Sequence, residues 1–282
     1  MGIHSVITFR CADGPGIVHA ISGAIVAVHG NISDSQQYSS PDTGMFFMRV
    51  QVDSDASQDD LAAALAPVQA RFDAHLTIDT QGRPARTLVL VSTAPHVLNA
   101  LLSAQRAGAV PIEVPLVLGN HPDLADMARF YGVGFELVPT PDAPAKAAFE
   151  ARVREVVREH DIELVVLARY MQIISPQLCA DLAGRMINIH HSFLPGFKGA
   201  NPYRQAHERG VKLIGATAHF VTADLDEGPI IEQSVVRVNH TKSVEELRQL
   251  GADAESVTLT HAVRLFAEHR ILLDGIRTVI FD

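Results

Sequence analysis

Asn188-Ile189-His190-His191-Ser192-Phe193-Leu194-Pro195 ends an apolar, strand-like run with an amide and an imidazole two positions apart. On an extended segment, residues i and i+2 point to the same side, so Asn188 and His190 share one. The amide is a neutral donor. The ring can hold or pass a proton near neutral pH. Further on, Leu225-Asp226-Glu227-Gly228-Pro229 offers a carboxylate, Asp226, to orient that ring or handle a water. Amide, imidazole and carboxylate form a hydrolytic or acyl-transfer set that calls on no metal.

These groups need a scaffold, and 282 residues suffice for two domains. Residues 1–82 read as β-α-β-β-α-β, the ferredoxin-like pattern. Strand Ile3–Arg10 leads through the turn Asp13-Gly14-Pro15-Gly16 into a helix with Ile17, Ile21, Ile25 and Val28 on one face, and Gly30 is expected as its C′ glycine. Strands Asn31–Tyr38 and Met45–Val52 follow. A helix capped by Ser57 or Asp59 and the strand His75–Asp79 complete the unit. Gln81-Gly82-Arg83-Pro84 reads as a linker.

In residues 83–282, apolar strands alternate with helices, which predicts a doubly wound, mostly parallel α/β sheet. The strands are Arg86–Ser92, Val114–Gly119, Phe135–Val138, Leu164–Ala168 and Met186–Ile189; Ser243 caps a long final helix, and a short strand pair closes the chain. Such sheets place their sites beyond the carboxyl ends of the strands, where Asn188 and His190 fall.

A formal charge of −9 without a basic stripe argues against nucleic acid as a partner. No signal-peptide pattern or bilayer-length apolar run occurs, so no membrane role and a cytoplasmic location are expected. Cys11 and Cys179 suggest neither a disulfide framework nor a zinc knuckle. No metal and no cofactor are expected. The adjacent rings of His190 and His191 face opposite ways on a strand, and no His-x-x-x-His pair with a carboxylate motif appears.

Asn188 to Pro195, Thr217-Ala-His219-Phe-Val and Leu225 to Pro229 together resemble the folate-dependent formyltransferase fold. The double histidine, Phe197-Lys-Gly-Ala-Asn-Pro-Tyr203, Glu208 to Lys212 with Gly215 to His219, and Phe46 to Val50 narrow the likeness. Over essentially its whole length the chain resembles the formyltetrahydrofolate deformylase family. That resemblance implies an N-terminal ACT domain and hydrolysis of 10-formyltetrahydrofolate to formate and tetrahydrofolate. The formate would supply purine synthesis and help balance one-carbon folate pools. The related transferase holds a substrate phosphate with a glycine-rich loop after its first strand. Here that loop reads Ser92-Thr93-Ala94-Pro95-His96, without glycine and with one N–H removed by proline. Water is therefore the expected nucleophile. The alternatives are a formyltransferase and an amino-acid sensor with a degenerate folate domain.

By the same resemblance, His190 polarises the formyl oxygen, Asn188 adds a donor, and Asp226 orients His190 and acts on the water or N10. The loop Arg169, Met171, Gln172, Ile173 and Ile174 would wrap the pterin with backbone groups and apolar walls. Arg169 could meet the folate glutamate or a local carboxylate. His191 is either a hydrogen-bonded support or a substrate contact, His219 supports the site, and Lys198 and Tyr203 are channel candidates. ACT domains pair between subunits, so a homo-oligomer is expected. Strand Met45–Val50 is a candidate edge, and a small amino acid is a possible effector.

Overall fold

The computed structural model describes residues 3–194 and 202–282. They form two compact units: the chain up to Arg83 together with Glu268–Asp282, and Pro84–Ala267. The first unit begins with β1 (Ile3–Ala12), α1 (Ile17–Ala27), β2 (Asn31–Ser39), β3 (Met45–Ser54), α2 (Gln58–Phe72) and β4 (His75–Thr80). Its strands lie in the order β2-β3-β1-β4, every neighbouring pair antiparallel. Ile17, Ile21 and Ile25 of α1 and Leu61 and Leu65 of α2 bury against Ile7, Phe9, Met48 and Val50. Ser57 and Asp60 cap α2 reciprocally, each side chain taking the other's backbone N–H at 3.1 Å.

Two expectations change here. Strand β3 is not an edge: β1 and β2 pair with it on either side. Gly30 is not the left-handed residue that ends α1. His29 takes that conformation, with φ 56°. Gly30 is small for a different reason: a Cβ there would lie 2.7 Å from Ile25 Cγ2 and 3.0 Å from Val52 Cγ1.

The second unit continues with β5 (Ala85–Val91), α3 (His96–Arg106), β6 (Ile112–Gly119), α4 (Ala125–Phe130), β7 (Gly134–Leu137), α5 (Ala143–Glu159) and β8 (Leu164–Ala168). It is completed by α6 (Pro176–Asp181), β9 (Met186–His190), α7 (Pro202–Glu208), β10 (Leu213–Phe220), β11 (Ile230–Arg237) and α8 (Val244–Ala267). Among the described residues, seven strands form one sheet in the order β11-β10-β9-β8-β5-β6-β7. From β9 to β7 the neighbours are parallel; β10 runs antiparallel to β9, and β11 to β10. Leu88 to Val91 of β5 are fully buried, as in a parallel strand covered on both faces. No helix among the described residues is long and apolar enough to cross a membrane.

The closing pair, β12 (Ile271–Asp274) and β13 (Arg277–Ile280), belongs to the first unit rather than to an 83–282 domain. Several contacts hold it there. The buried Arg49 of β3 donates to the Glu268 carbonyl at 3.1 and 3.2 Å, Ser40 donates to Asp274 at 2.8 Å, and Leu272 and Phe281 pack on Phe47. Phe46 and Phe47 face opposite sides of the sheet, so the run that looked like an adhesive edge is a strand buried on both faces.

Replacing His29 with Gly should stabilise the protein by about 1 kcal/mol, because glycine adopts φ > 0 without Cβ strain. Gly30→Ala should destabilise it by roughly 1–3 kcal/mol through overpacking. Denaturant melts check both, and the reverse order of effects would show that Gly30 is a cap after all.

Candidate active site

Strand β9 delivers Asn188, His190 and His191 to the carboxyl end of the sheet, and antiparallel β10 sets their partners. His219 lies opposite Asn188, and Thr217 opposite His190. Buried Thr217 then anchors the chain that leaves β9. Its hydroxyl accepts from Leu194 N at 3.1 Å and donates to the Ser192 carbonyl at 3.0 Å. Gln233 of β11 donates to both Leu194 O and Thr217 Oγ1.

Asp226 arrives on the β10–β11 loop in the left-handed region, with φ 58°. The loop is pinned where Phe220 N donates to Pro229 O at 2.9 Å. Gly228 permits that closeness: a Cβ there would lie 1.8 Å from the Phe220 carbonyl oxygen. A non-glycine residue with φ > 0 costs on the order of 1–3 kcal/mol and persists where its surroundings over-determine it. Here the surroundings are two imidazoles. Asp226 Oδ2 is 3.1 Å from His190 Nδ1, and Oδ1 is 3.6 Å from His219 Nε2. Contacts from His190, then His219, hold the Asp226 carboxyl well below the usual carboxylate range against the opposing effect of burial. Asp226 is ionised at neutral pH.

The His190 ring spends Nδ1 on Asp226, and its Nε2 is buried without a hydrogen-bond partner among the described residues. An unpaired buried donor or acceptor costs roughly 1–3 kcal/mol, so this atom is poised for a group that binds beside it. His219 Nδ1 donates to the Phe220 carbonyl at 2.9 Å, which leaves Nε2 to accept from Asn188 Nδ2 at 3.3 Å while the ring is neutral.

A cleft of about 260 Å³ opens beside these groups. Asn188, His190, His219 and Asp226 line it together with Arg169 to Ile174 and with Val221, Thr222, Ala223 and Leu225. Met171, Ile173 and Leu225 are about 60% exposed at 59%, 60% and 61%, apolar surface left uncovered around those polar groups. The sequence-predicted loop Arg169, Met171, Gln172, Ile173 and Ile174 thus lines the same cleft as the amide, imidazole and carboxylate. Arg169 itself turns to a local carboxylate, with Nε 3.5 Å from Glu255. The rings of His190 and His191 do not face opposite ways as expected: β9 ends at His190, and His191 turns to stack on it with centroids 4.8 Å apart. Tyr203 is not in the cleft wall; its hydroxyl donates to Glu255 at 3.0 Å. Lys198 lies outside the described residues.

The pattern of the Formyl transferase family matches residues 85–263. A formyltetrahydrofolate deformylase of Corynebacterium sp. (strain P-1) is 44% identical over 281 residues, 99% of this chain and 98% of that one. The chain belongs to the formyltetrahydrofolate deformylase family. The crystal structure of a formyltetrahydrofolate deformylase from Burkholderia mallei superposes with a TM-score of 0.96 at 43% identity, over 99% of this chain and all of that one, 100%. A glycinamide ribonucleotide transformylase from Symbiobacterium toebii is similar over 72% of this chain and 97% of its own, with 38% identity and a TM-score of 0.67. The part shared with transformylases is therefore the formyltransferase-like α/β unit with its mostly parallel sheet.

Two buried acids behind the cleft were not singled out from sequence. Glu150 of α5 accepts from Ser175 N at 2.8 Å and pairs with the Ser175 hydroxyl, fixing the end of the 169–175 loop. Glu255 of α8 binds His96, Tyr203 and Arg169. Both stand in the buried stripe of their helix, beside Phe149 and Val153 or Ala254 and Thr258. A charge inside an apolar stripe is the signal that could have found them.

Burial, then the charges of Arg169 and His190, push the His191 pKa down to about 4. An unfolded chain with an ordinary histidine near 6.5 binds a proton that the folded site refuses until about pH 4. This residue therefore removes stability as pH falls from about 6.5 towards 4. NMR titration should place its midpoint near 4, with a flat ring signal from pH 9 to 6. A midpoint near 6.5 would contradict the environment described.

Proposed function

We propose that the chain hydrolyses 10-formyltetrahydrofolate to formate and tetrahydrofolate, with Asn188, His190 and Asp226 as its catalytic residues. The observation that carries the catalytic assignment is the unpartnered Nε2 of His190, on a ring oriented through Nδ1 by an ionised Asp226. The formyl oxygen is placed at that nitrogen and accepts from Nε2–H of the protonated ring, whose Nδ1–H stays on Asp226. The Asn188 amide adds a second donor as the carbonyl becomes tetrahedral. Asp226 Oδ1, in only loose contact with His219, orients a water towards the formyl carbon and takes its proton. The proton taken by Asp226 passes to N10 as the C–N10 bond breaks, and formate leaves.

The apolar walls and backbone groups of the 169–174 loop suit a flat pterin rich in donors and acceptors. Of the further binding candidates, His191 and His219 support the rings and Arg169 supports the loop. No metal or cofactor enters the scheme, because the amide, imidazole and carboxylate are complete in themselves. The two buried free thiols, Cys11 and Cys179, suit a reducing cytoplasm.

The first unit we read as an ACT-type module that joins copies of the chain and takes a small amino acid near Asp13–Gly16 and Gly30–Asn31. Because β3 is interior, pairing would use the outer strand β2, whose residues alternate between exposed and half-buried. Deleting residues 1–82 should lower the oligomeric mass by light scattering and abolish any amino-acid response. Full mass in the truncated protein would remove the assembly role, and no calorimetric heat with any amino acid would remove the effector.

Purified protein given 10-formyltetrahydrofolate and no acceptor should release formate, before and after dialysis against a strong chelator. Loss of one oxyanion donor costs about 10²–10³ in rate, so His190→Ala should lower kcat by that order with little change in KM. Asp226→Asn should be comparably impaired with the fold intact. Near-wild-type kcat in His190→Ala, or activity that returns only with one stoichiometric divalent ion, would overturn the scheme.

A further inference from the structure

Glu150 stands among the buried residues of α5 and is 5% exposed. Among the described residues no cation pairs with it, and both of its oxygens serve one partner. Oε1 accepts from Ser175 N at 2.8 Å, and Oε2 accepts from the Ser175 hydroxyl. A buried carboxylate costs several kcal/mol unless its oxygens are hydrogen-bonded. Moving Ser175 away would strand this one, so the position of the Ser175 backbone is exacting. The neighbours feel the charge: burial, and then Glu150, raise the pKa of Tyr170 and of Cys179.

Ser175 is the residue at which the loop lining the cleft ends and α6 begins. Its hydroxyl oxygen also accepts from Leu178 N at 3.2 Å, so the same group caps that helix. At the other end of the loop, Met171 N donates to the buried Ser92 Oγ at 3.0 Å. Only residues 172–174 span the two anchors. A residue reaches at most about 3.5 Å, so a span this short has little freedom to bow. Its side chains divide accordingly. Tyr170 stacks on Phe149, next to Glu150, with centroids 4.9 Å apart, and Ile174 is buried. Met171 and Ile173 stay exposed where the loop lines the cleft. Glu150 itself is not among the lining residues. It acts from behind, through Ser175.

We propose that Glu150 is a positioning residue for folate binding: through Ser175 it sets the course of residues 172–174, and so governs affinity for the substrate rather than the chemical step. The inference rests on the hydrolytic reading above. Backbone groups that hold a flat, donor-rich ring tolerate little displacement, because a hydrogen bond is lost when its atoms part by about half an ångström beyond 3.0 Å. Asn188 and His190 stand on β9, and Asp226 on the loop before β11. A shift of the 172–174 span therefore leaves the reacting groups where they are.

The test compares the full chain as wild type, Glu150→Ala, Glu150→Gln and Ser175→Ala, each with a denaturant melt. Glu150→Gln keeps the length and an acceptor for Ser175 N–H but not the charge. Ser175→Ala keeps the N–H bond and loses only the hydroxyl, so it reports even if Glu150→Ala does not fold. Hydrogen bonds to a charged group are worth about 1.5–3 kcal/mol, so KM for 10-formyltetrahydrofolate should rise roughly tenfold in Glu150→Ala. The other two, which each keep one bond, should show a rise of about threefold, with kcat within a factor of about two throughout. Because both act on one contact, Glu150→Gln should add less than about twofold to KM in a Ser175→Ala background. The Kd for tetrahydrofolate, measured by calorimetry, should follow KM. That arm needs no turnover, so wild type that binds tetrahydrofolate but releases no formate would sink the hydrolytic reading and still test this one. A merely structural role would lower the melting midpoint and leave KM of the folded protein alone. Unchanged KM and Kd in the variants that fold, or a fall in kcat as large as the rise in KM, would overturn the proposal.

Discussion

The contact between Asp226 and His190 is the interaction on which the rest of the site depends. One oxygen of the carboxylate fixes the orientation of the ring and leaves Nε2 as the ring's only uncommitted nitrogen. To reach that ring, Asp226 takes a left-handed backbone conformation on a loop closed by the Phe220 N–H donating to the Pro229 carbonyl. The absence of a side chain at Gly228 makes the closure possible. The antiparallel β10 completes the geometry by setting His219 against Asn188. Two imidazoles on adjacent strands hold one carboxylate ionised, and these contacts oppose the local backbone strain.

Buried charge positions the surrounding loops as well. Glu150 takes the backbone N–H and the hydroxyl of Ser175, Glu255 takes His96, Tyr203 and Arg169, and in the first unit Arg49 takes the Glu268 carbonyl and Asp34. Taking a charge out of water costs several kcal/mol unless it is paired and hydrogen-bonded, so each of these groups tolerates few geometries. The penalty for misplacement makes them effective rulers. The first fixes one end of the cleft wall, the second the chain just after β8, and the third keeps the last fifteen residues with the first unit, 268–282. Apolar packing alone would tolerate small shifts in each.

Much of this protein was legible from local patterns. Period-2 and period-3.6 hydrophobicity, with glycine and proline as punctuation, marked most strands and helices, because those signals act within a few residues. The pair Asn188 and His190 announced a shared side because strand geometry has a strict period of two. The cleft loop 169–174 was found through its resemblance to known relatives; its apolar residues are ordinary for a buried turn. The errors were non-local. Met45–Val50 read as an edge because its composition reveals apolar faces but not its neighbours; pairing with β1 and β2 is decided by chains far away in sequence. Gly30 read as a cap, while Val52 on another strand is part of the reason it must be small. Glu255 is marked locally only by its place in an apolar stripe; His96, Arg169 and Tyr203 meet it only in the folded chain.

The sequence by itself determined the two kinds of α/β rhythm, the chemistry of the amide, imidazole and carboxylate, and the strand end at which two of the three emerge. Those properties belong to single residues and short spacings. Only the tertiary structure decided that Asp226 meets His190, that Arg169 turns inward to Glu255, and that the final hairpin rejoins the first unit. The reason is physical. A contact between residues tens to hundreds of positions apart exists only after the intervening chain has packed, and its energy depends on burial that no local window contains.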